Sequence, residues 1–275
     1  MKKKIMIIIV LILVIGLLIF LAKKEKIDSD YDFKVYFFNA GKADAILLSK
    51  NHEYMMIDTG ESSLSDEILK YFKDNNITKL KYLIITHFDK DHVGSASAII
   101  DNIEIDEILQ SNVPKDSEYY NNYVNSLNNK GVTPTIVSGN YLITLDDMEI
   151  TVNGPKIVYD SNESNNSSLI VSIIDNNNRF LFMGDAQNAR IKDFLEENNN
   201  TYDFLKVPYH GKYLKQLDNL LEEVEPKYGV ITCSKKEGCE DKTLSVLNEY
   251  NVKYYQTKNG SITILSNGYD IVIKE

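Results

Sequence analysis

Three apolar runs in this chain each lead into side chains that bind metals, and this pattern constrains the fold more than any other feature. The runs cover residues 82–85, 180–183 and 204–207. They lead, in that order, into His87, Asp89, Asp91 and His92, then into Asp185, and then into His210. Because open α/β sheets usually place their sites at the C-terminal ends of strands, we expect these side chains to meet at one sheet edge.

The residue types in these runs favour a metal centre. Histidine offers a neutral nitrogen and aspartate a hard oxygen, and divalent transition metals accept both. A chance cluster on a solvated loop is the alternative, but ligands spread over three distant runs are typical of a folded metal site. Three of the four histidines lie in these runs, and His52 lies in a polar turn, where we expect it to be solvated. Gly94 predicts a tight turn into a helix just after the first cluster.

The N-terminal 22 residues predict a membrane anchor. Residues 5–22 carry no charged or polar side chain, and 18 helical residues span roughly 27 Å, close to the thickness of a bilayer core. A cleaved signal peptide is the main alternative, but the apolar run is long and lacks a small-x-small cleavage site. A buried core helix would need a polar face. We therefore expect an anchor at 1–22 that contacts the lipid bilayer and a charged linker at 23–32.

The lysines on either side of the apolar run give a weaker indication of how the anchor is oriented in the membrane. Three lysines precede the apolar run and three closely follow it, so the lysine bias is nearly balanced. Short basic N-termini tend to stay inside the cell. The expectation is a single-pass protein of the cell membrane whose globular part is extracellular.

Residues 33–275 read as one domain of the α/β class. Strand-like runs occur in two sets, each followed by helices, which predicts two sheets packed face to face with helices outside. Cys233 and Cys239 are the only cysteines, and the sequence leaves open whether they form a disulfide or stay as thiols. The net charge of −10 excludes a broad nucleic-acid-binding face, although a polyanion can still bind through a local patch or through metals.

The ordered motifs resemble those of the metallo-β-lactamase superfamily. The order is His87-x-Asp89-x-Asp91-His92, then Gly184-Asp185, then His210-Gly211. Within that superfamily the chain is most similar to the metallo-β-lactamase-like domain of ComEC, the competence DNA-channel protein. This closer likeness rests on the stretches at 37–46, 56–60 and 205–212. The resemblance implies a four-layer αβ/βα sandwich with one or two divalent metals, Zn or Mn, at one edge.

The resemblance also suggests a role for each candidate residue. One metal would use His87, Asp89 and Asp185, with Asn166 or Ser167 nearby, and a second would use Asp91, His92, Asp185 and His210. Asp185 would bridge the metals, and Asp91 would orient a metal-bridged hydroxide. Asp58 would hold a ligand imidazole through its other ring nitrogen. Lys212 would contact an anionic substrate. Asp58 as a turn cap, Asn166 as an ordinary loop amide and Lys212 as a solvated charge are the alternatives.

The chain departs from the superfamily pattern in ways that bear on function. Asp89 stands where many members have histidine, and no histidine lies between His92 and His210. A true β-lactamase is therefore disfavoured. The leading hypothesis is a membrane-tethered metal-dependent phosphodiesterase or nuclease, with DNA as a possible substrate. The alternatives are a cell-wall phosphocholine or teichoic-acid esterase and a non-catalytic metal-binding domain.

Overall fold

The computed structural model describes residues 6, 9, 10, 12–16 and 30–275. Most of the predicted anchor (1–22) and linker (23–32) lies outside the described residues. Within the described part, no helix is both long and apolar enough to cross a bilayer. Both segments stay predictions.

Fifteen strands and seven α-helices follow one another from residue 33 to the end of the described chain. The strands are β1 (Phe33–Phe37), β2 (Ala45–Lys50), β3 (Glu53–Thr59), β4 (Lys79–Ile85), β5 (Glu104–Gln110), β6 (Thr135–Ile136), β7 (Asn140–Leu145), β8 (Met148–Asn153), β9 (Ile170–Asp175), β10 (Asn178–Phe182), β11 (Phe204–Lys206), β12 (Tyr228–Ile231), β13 (Lys253–Gln256), β14 (Ile262–Ser266) and β15 (Ile271–Lys274). The helices are α1 (Ser65–Asp74), α2 (Lys90–Val93), α3 (Ala96–Asn102), α4 (Glu118–Lys130), α5 (Asn188–Leu195), α6 (Leu217–Val224) and α7 (Asp241–Glu249). Short 3-10 turns cover Ser62–Leu64, Ser161–Ser167, Pro208–Gly211 and Thr257–Asn259.

The strands form two sheets. One has the order β15-β14-β1-β2-β3-β4-β5-β6, and the other has the order β13-β12-β11-β10-β9-β8-β7. Each sheet is antiparallel in one part and parallel in the other: β3 to β6 pair in parallel in the first sheet, and β10 to β13 do so in the second. The parallel parts direct several strand ends toward the same edge of the molecule.

The two sheets pack face to face because their strands alternate. Phe33, Val35 and Phe37 of β1 point into the core between the sheets, as do Phe180 and Phe182 of β10. The intervening side chains point outward, which is the period of two expected of a strand. Two further apolar clusters join these outer faces to helices: α1, α3 and α4 cover the first sheet, and α5, α6 and α7 cover the second. The predicted four-layer αβ/βα sandwich is confirmed.

The three apolar runs that lead into the candidate ligands are strands, since they overlap β4, β10 and β11. The sequence pattern had not singled out the strand β5 or the helix α6. The cap position of α1 is Leu64, and the Ser65 hydroxyl donates to Ser62 O at 2.8 Å. The 3-10 turn at Ser62–Leu64 directly precedes α1, so the helical segment begins there.

Gly94 permits a close approach of two backbone segments next to the first histidine cluster. Gly94 and Ser95 form the turn that leads into α3, as predicted, and the Gly94 backbone has φ −57° and ψ −40°. A Cβ atom at this position would lie 2.6 Å from Ser62 N and 2.7 Å from Glu61 Cα. The absence of a side chain is therefore what lets residues 61–62 pack against the end of α2.

We expect Gly94→Ala to lower the free energy of unfolding by about 1–3 kcal/mol, because the backbone contact cannot relax without shifting α2. Chemical denaturation of the full-length protein measures this loss. Gly238→Ala is the matched control, since a Cβ there meets nothing within 4 Å. Equal free energies of unfolding for the two variants would contradict this expectation, because they would show that residues 61–62 move away from the added methyl group at little cost.

Candidate metal centre

Strand ends from both sheets converge at the candidate centre. Asp58 lies near the end of β3, and His87 follows β4, which continues through a short turn into Asp91 and His92 on α2. Asp185 follows β10, and His210 lies in the 3-10 turn after β11. All three histidines and Asp185 are at most 3% exposed. The parallel strands thus bring together the side chains that the sequence pattern singled out.

Several site residues have a left-handed backbone. Asp58 has φ 54°, Tyr209 has φ 53° and His210 has φ 51°. Such values are uncommon for residues other than glycine, and they tend to cluster where the surrounding structure over-determines a functional geometry. The backbone therefore turns sharply at the strand ends to direct these side chains inward.

Asp58 holds the outer nitrogen of His92. Its Oδ2 lies 2.7 Å from His92 Nδ1, and the same carboxylate accepts hydrogen bonds from Thr86 N at 2.7 Å and Thr86 Oγ1 at 2.6 Å. Because this carboxylate fixes Nδ1, His92 Nε2 is directed to the centre of the cluster. This is the contact expected of Asp58 from the sequence, and its role as a support for a metal ligand stays a prediction.

Hydroxyl groups hold the other two imidazoles. Thr86 Oγ1 gives its proton to Asp58, so its 3.2 Å contact with His87 Nδ1 requires the ring nitrogen to donate. In the same way Thr232 Oγ1 donates to Asp44 Oδ1 at 2.6 Å and lies 3.0 Å from His210 Nδ1. Both arrangements place a hydrogen on Nδ1, so that Nε2 is the ring atom left to face the centre of the cluster.

Four buried atoms of the cluster have no hydrogen-bond partner within the described part of the chain. They are Nε2 of His87, His92 and His210, and Oδ1 of Asp185. Buried polar atoms are normally paired, so four unpaired ones at a single place indicate a missing partner. A cation that accepts lone pairs is the kind of partner that such atoms fit.

The spacing within the cluster fits a coordination sphere. His92 Nε2 lies 3.5 Å from Asp185 Oδ1, His210 Nε2 lies 3.2 Å from Asp185 Oδ2, and His210 Nε2 lies 3.5 Å from Asp91 Oδ2. Around a tetrahedral zinc ion with bonds of about 2.0–2.1 Å, neighbouring ligand atoms are separated by about 3.3–3.4 Å. Asp91, His92, Asp185 and His210 therefore form a group that fits a divalent metal.

The charges of this group depend on one another. Burial opposes ionisation of Asp185, but the neighbouring His210 and His92 hold its pKa well below the ordinary value. Burial opposes protonation of His210, yet Asp185, Asp91 and Asp44 raise its pKa to about 9. The pKa of His92 is likewise raised, against burial, by Asp185 and Asp58. The negative charge of the carboxylates thus strongly favours positive charge at this point.

Asp89 lies apart from this group and has other partners. Its Oδ1 forms an ion pair with Lys115 Nζ and accepts a hydrogen bond from Ser164 Oγ at 2.6 Å. The same oxygen is 3.8 Å from His87 Nε2. Burial opposes ionisation of Asp89, but His87 and Lys115 lower its pKa. The structure therefore places Asp89 beside His87, as predicted, but with its oxygen already engaged by protein donors.

The two remaining predicted residues lie on the periphery. Asn166 is buried, and its Oδ1 accepts a hydrogen bond from Arg190 N at 3.3 Å. Lys212 is partly exposed, and its Nζ lies 4.6 Å from the centre of the Tyr209 ring. The Asn166 contact is of the kind that an ordinary loop amide makes, whereas Lys212 is accessible to a ligand.

A buried ion pair under the histidines was missed by the sequence analysis. Lys206 is fully buried, pairs with the carboxylate of Asp44 and donates to Gly184 O at 2.8 Å. Burial opposes ionisation of Asp44, while Lys206 and the two nearby histidines lower its pKa. A lysine inside an apolar strand was the available signal, since buried lysines need a charged partner. No comparable sequence signal indicated that Lys115 or Ser164 lies beside a candidate ligand.

The two cysteines are free thiols that lie close to His210. Both sulfur atoms contact Gln256 Oε1, Cys233 at 3.7 Å and Cys239 at 3.2 Å. Cys233 directly follows Thr232, which holds His210, and Cys239 packs against Gly211. The thiols therefore belong to the packing behind the third histidine.

Comparison with known proteins agrees with this geometry. A family model described as "Metallo-beta-lactamase superfamily" matches residues 39–235, more than half of the chain. The chain belongs to the metallo-beta-lactamase superfamily. Its members are generally hydrolases. The predicted family is confirmed.

Two curated relatives and one solved structure illustrate the likeness. "ComE operon protein 3" of Bacillus subtilis (strain 168) is 22% identical over 81% of this chain and 31% of its own length. "Recombination protein 2" of Haemophilus influenzae is 26% identical over 70% of this chain and 23% of its own. The chain thus spans less than a third of either relative. The metallo-beta-lactamase fold protein YhfI from Bacillus subtilis superposes with a TM-score of 0.57 at 11% identity, covering 88% of this chain and 100% of that chain, which shows the fold alone. The predicted ComEC likeness is confirmed by the two relatives.

We expect Lys206→Met to lower the free energy of unfolding by about 3–5 kcal/mol, because Asp44 is left as a buried charge without its ammonium partner. The double variant Asp44→Asn/Lys206→Met should lose less than the sum of the two single losses. Urea denaturation of all three variants measures the coupling. Lys70→Met, which breaks an exposed i,i+4 ion pair, is the control and should change stability by about 0.5 kcal/mol or less. Additive losses would show that Lys206 and Asp44 are stabilised independently.

Proposed function

We propose that this chain is a membrane-tethered hydrolase that uses a divalent metal, Zn or Mn, to cleave phosphodiester bonds. The observation that carries the proposal is the group of unpaired Nε2 atoms around Asp185, whose spacing fits a coordination sphere. Structural histidines in a core are normally paired on both ring nitrogens. Three that are paired only on the outer side point to a ligand.

The side chains of the cluster would have two roles in hydrolysis, which are to hold the metal and to orient the attacking water. Asp91, His92, Asp185 and His210 would hold the metal. A divalent ion at this position supplies a Lewis acid for a phosphoryl oxygen and lowers the pKa of water. Asp91 is the most accessible of the four, with a side chain that is 19% exposed. Its pKa is held far below the ordinary value, against burial, by His210 and His92. Its accessible position suits Asp91 to orient the attacking water.

The phosphodiester part of the proposal rests on the ComEC likeness and on local charge. The chain is acidic overall, so a polyanion such as DNA must be bound through the metal and nearby lysines. Lys212 follows His210 closely and is accessible, and we propose that it contacts a phosphate oxygen. The chain covers less than a third of the length of either curated relative, so the functions of their other parts are not proposed for this chain.

A cleavage assay tests the proposal directly. Full-length protein in detergent, stripped of metal and reloaded with Mn²⁺ or Zn²⁺, is incubated with single-stranded DNA and with bis(p-nitrophenyl) phosphate. We expect metal-dependent cleavage that falls by about 10²–10⁴-fold in Asp91→Ala, the range typical of lost acid–base or orienting groups. Asp185→Ala should lose metal binding and activity together.

Asp66→Asn is the control for these variants, because Asp66 is an exposed carboxylate on α1, and it should cleave at the wild-type rate. Full activity of Asp185→Ala with its metal content intact would contradict the assignment of the centre. A metal-loaded wild type without turnover on either substrate would favour the wall-esterase or non-catalytic alternatives.

The membrane tether is a separate part of the proposal, supported by the uncharged run at 5–22. We expect full-length protein in the membrane fraction, released by detergent but not by high salt, and a variant lacking residues 1–26 in the soluble fraction. The apolar run should be the cause, because 18 apolar residues match a bilayer core. Replacement of residues 5–22 by an unrelated transmembrane segment is the control and should restore sedimentation. If the truncated protein precipitates instead, the run is part of the domain core.

A further inference from the structure

Lys115 introduces an ammonium group on one side of the metal centre. It lies in the loop between β5 and α4, and its Nζ pairs with Asp89 Oδ1 and lies 3.5 Å from Ser164 Oγ. The lysine side chain is 32% exposed and the Asp89 side chain is 25% exposed. Together, Lys115 and Ser164 supply two donors to the oxygen that also faces His87.

Among the described residues, no accessible ammonium of this kind contacts the other side of the centre. The ligand atoms of Asp91, His92, Asp185 and His210 all lie within 4.8 Å of one another. Lys206 is 3.7 Å from Asp185 Oδ1, but it is buried and held behind it by Asp44 and Gly184 O. The two sides therefore differ in their carboxylates: Asp89 Oδ1 is held by Lys115 and Ser164, and His87 Nε2 is left as the unpaired ligand atom beside it.

Asp185 serves the four-residue group with both of its oxygens. Its Oδ1 is close to His92 and its Oδ2 is close to His210. While Lys115 and Ser164 hold Asp89, a second site could use only His87 and a shared Asp185, whereas catalytic zinc sites normally use three protein ligands.

We propose that the centre holds a single divalent metal, bound by Asp91, His92, Asp185 and His210, and that the Lys115 ammonium takes the place of a second cation. The inference rests on the proposed function, which requires a metal in this group. It replaces the predicted second site at His87, Asp89 and Asp185. In this arrangement Asp89 is the anchor of Lys115, whose side chain is 32% exposed.

Metal stoichiometry tests the inference without any activity assay. Full-length protein is stripped with a chelator, titrated with Zn²⁺ and with Mn²⁺ by calorimetry, and analysed for bound metal by mass spectrometry after desalting. We expect one metal per wild-type chain. Lys115→Met keeps the length of the side chain, removes its charge and frees Asp89, and we expect it to bind two. Lys81→Met is the matched control, since Lys81 forms an ion pair with Glu53 at similar exposure (30%), and it should still bind one.

Each outcome is decisive. Two metals in the wild type, or one in Lys115→Met, overturns the role of Lys115 and leaves the proposed hydrolase standing. No metal in the wild type overturns the metal centre itself and the inference with it. Asp89→Asn provides a second measurement that does not depend on the folding of Lys115→Met. It should keep one metal at wild-type affinity, whereas Asp185→Asn should lose it, and loss of the metal in Asp89→Asn would make Asp89 a ligand.

Discussion

The candidate centre depends on two buried carboxylates that are not themselves in the four-residue metal group. Asp58 fixes His92 directly and acts on His87 through Thr86, and Asp44 acts on His210 through Thr232. In each case the hydrogen is placed on the outer ring nitrogen. The inner nitrogens are thereby turned toward one point with their lone pairs free, which is the condition for binding a metal.

Burying these carboxylates is unfavourable unless they are paired and hydrogen-bonded. Asp58 is stabilised by the N–H and hydroxyl of Thr86 and by the ring of His92. Asp44 Oδ1 accepts a hydrogen bond from Thr232, and its Oδ2 forms an ion pair with the fully buried Lys206. The strained turns at Asp58 and His210 are tolerated because the two packed sheets fix the strand ends from which they start.

The distribution of charge around the centre differs from that of the whole chain. An overall charge of −10 would repel a polyanion at long range, but Lys115 and Lys212 are both accessible on its periphery. A local pair of ammonium groups next to a metal gives short-range attraction for phosphate while the remaining surface stays acidic. Selectivity for a particular phosphodiester would then depend on geometry at the centre more than on the field of the whole protein.

The sequence by itself determined the layers of the fold, the order of most strands and the cluster of His92, Asp185 and His210, because each is encoded locally. Alternation of apolar side chains specifies a strand, and a strand that ends in Gly-Asp or His-Gly directs its ligand to a sheet edge. Only the tertiary structure decided which residues support or compete with those ligands. Asp44 and Lys206 are separated by more than half of the chain, and Asp89 meets Lys115 and Ser164 only when three loops pack together. Such contacts depend on distances between segments that are remote in sequence, and no local pattern of residues records them.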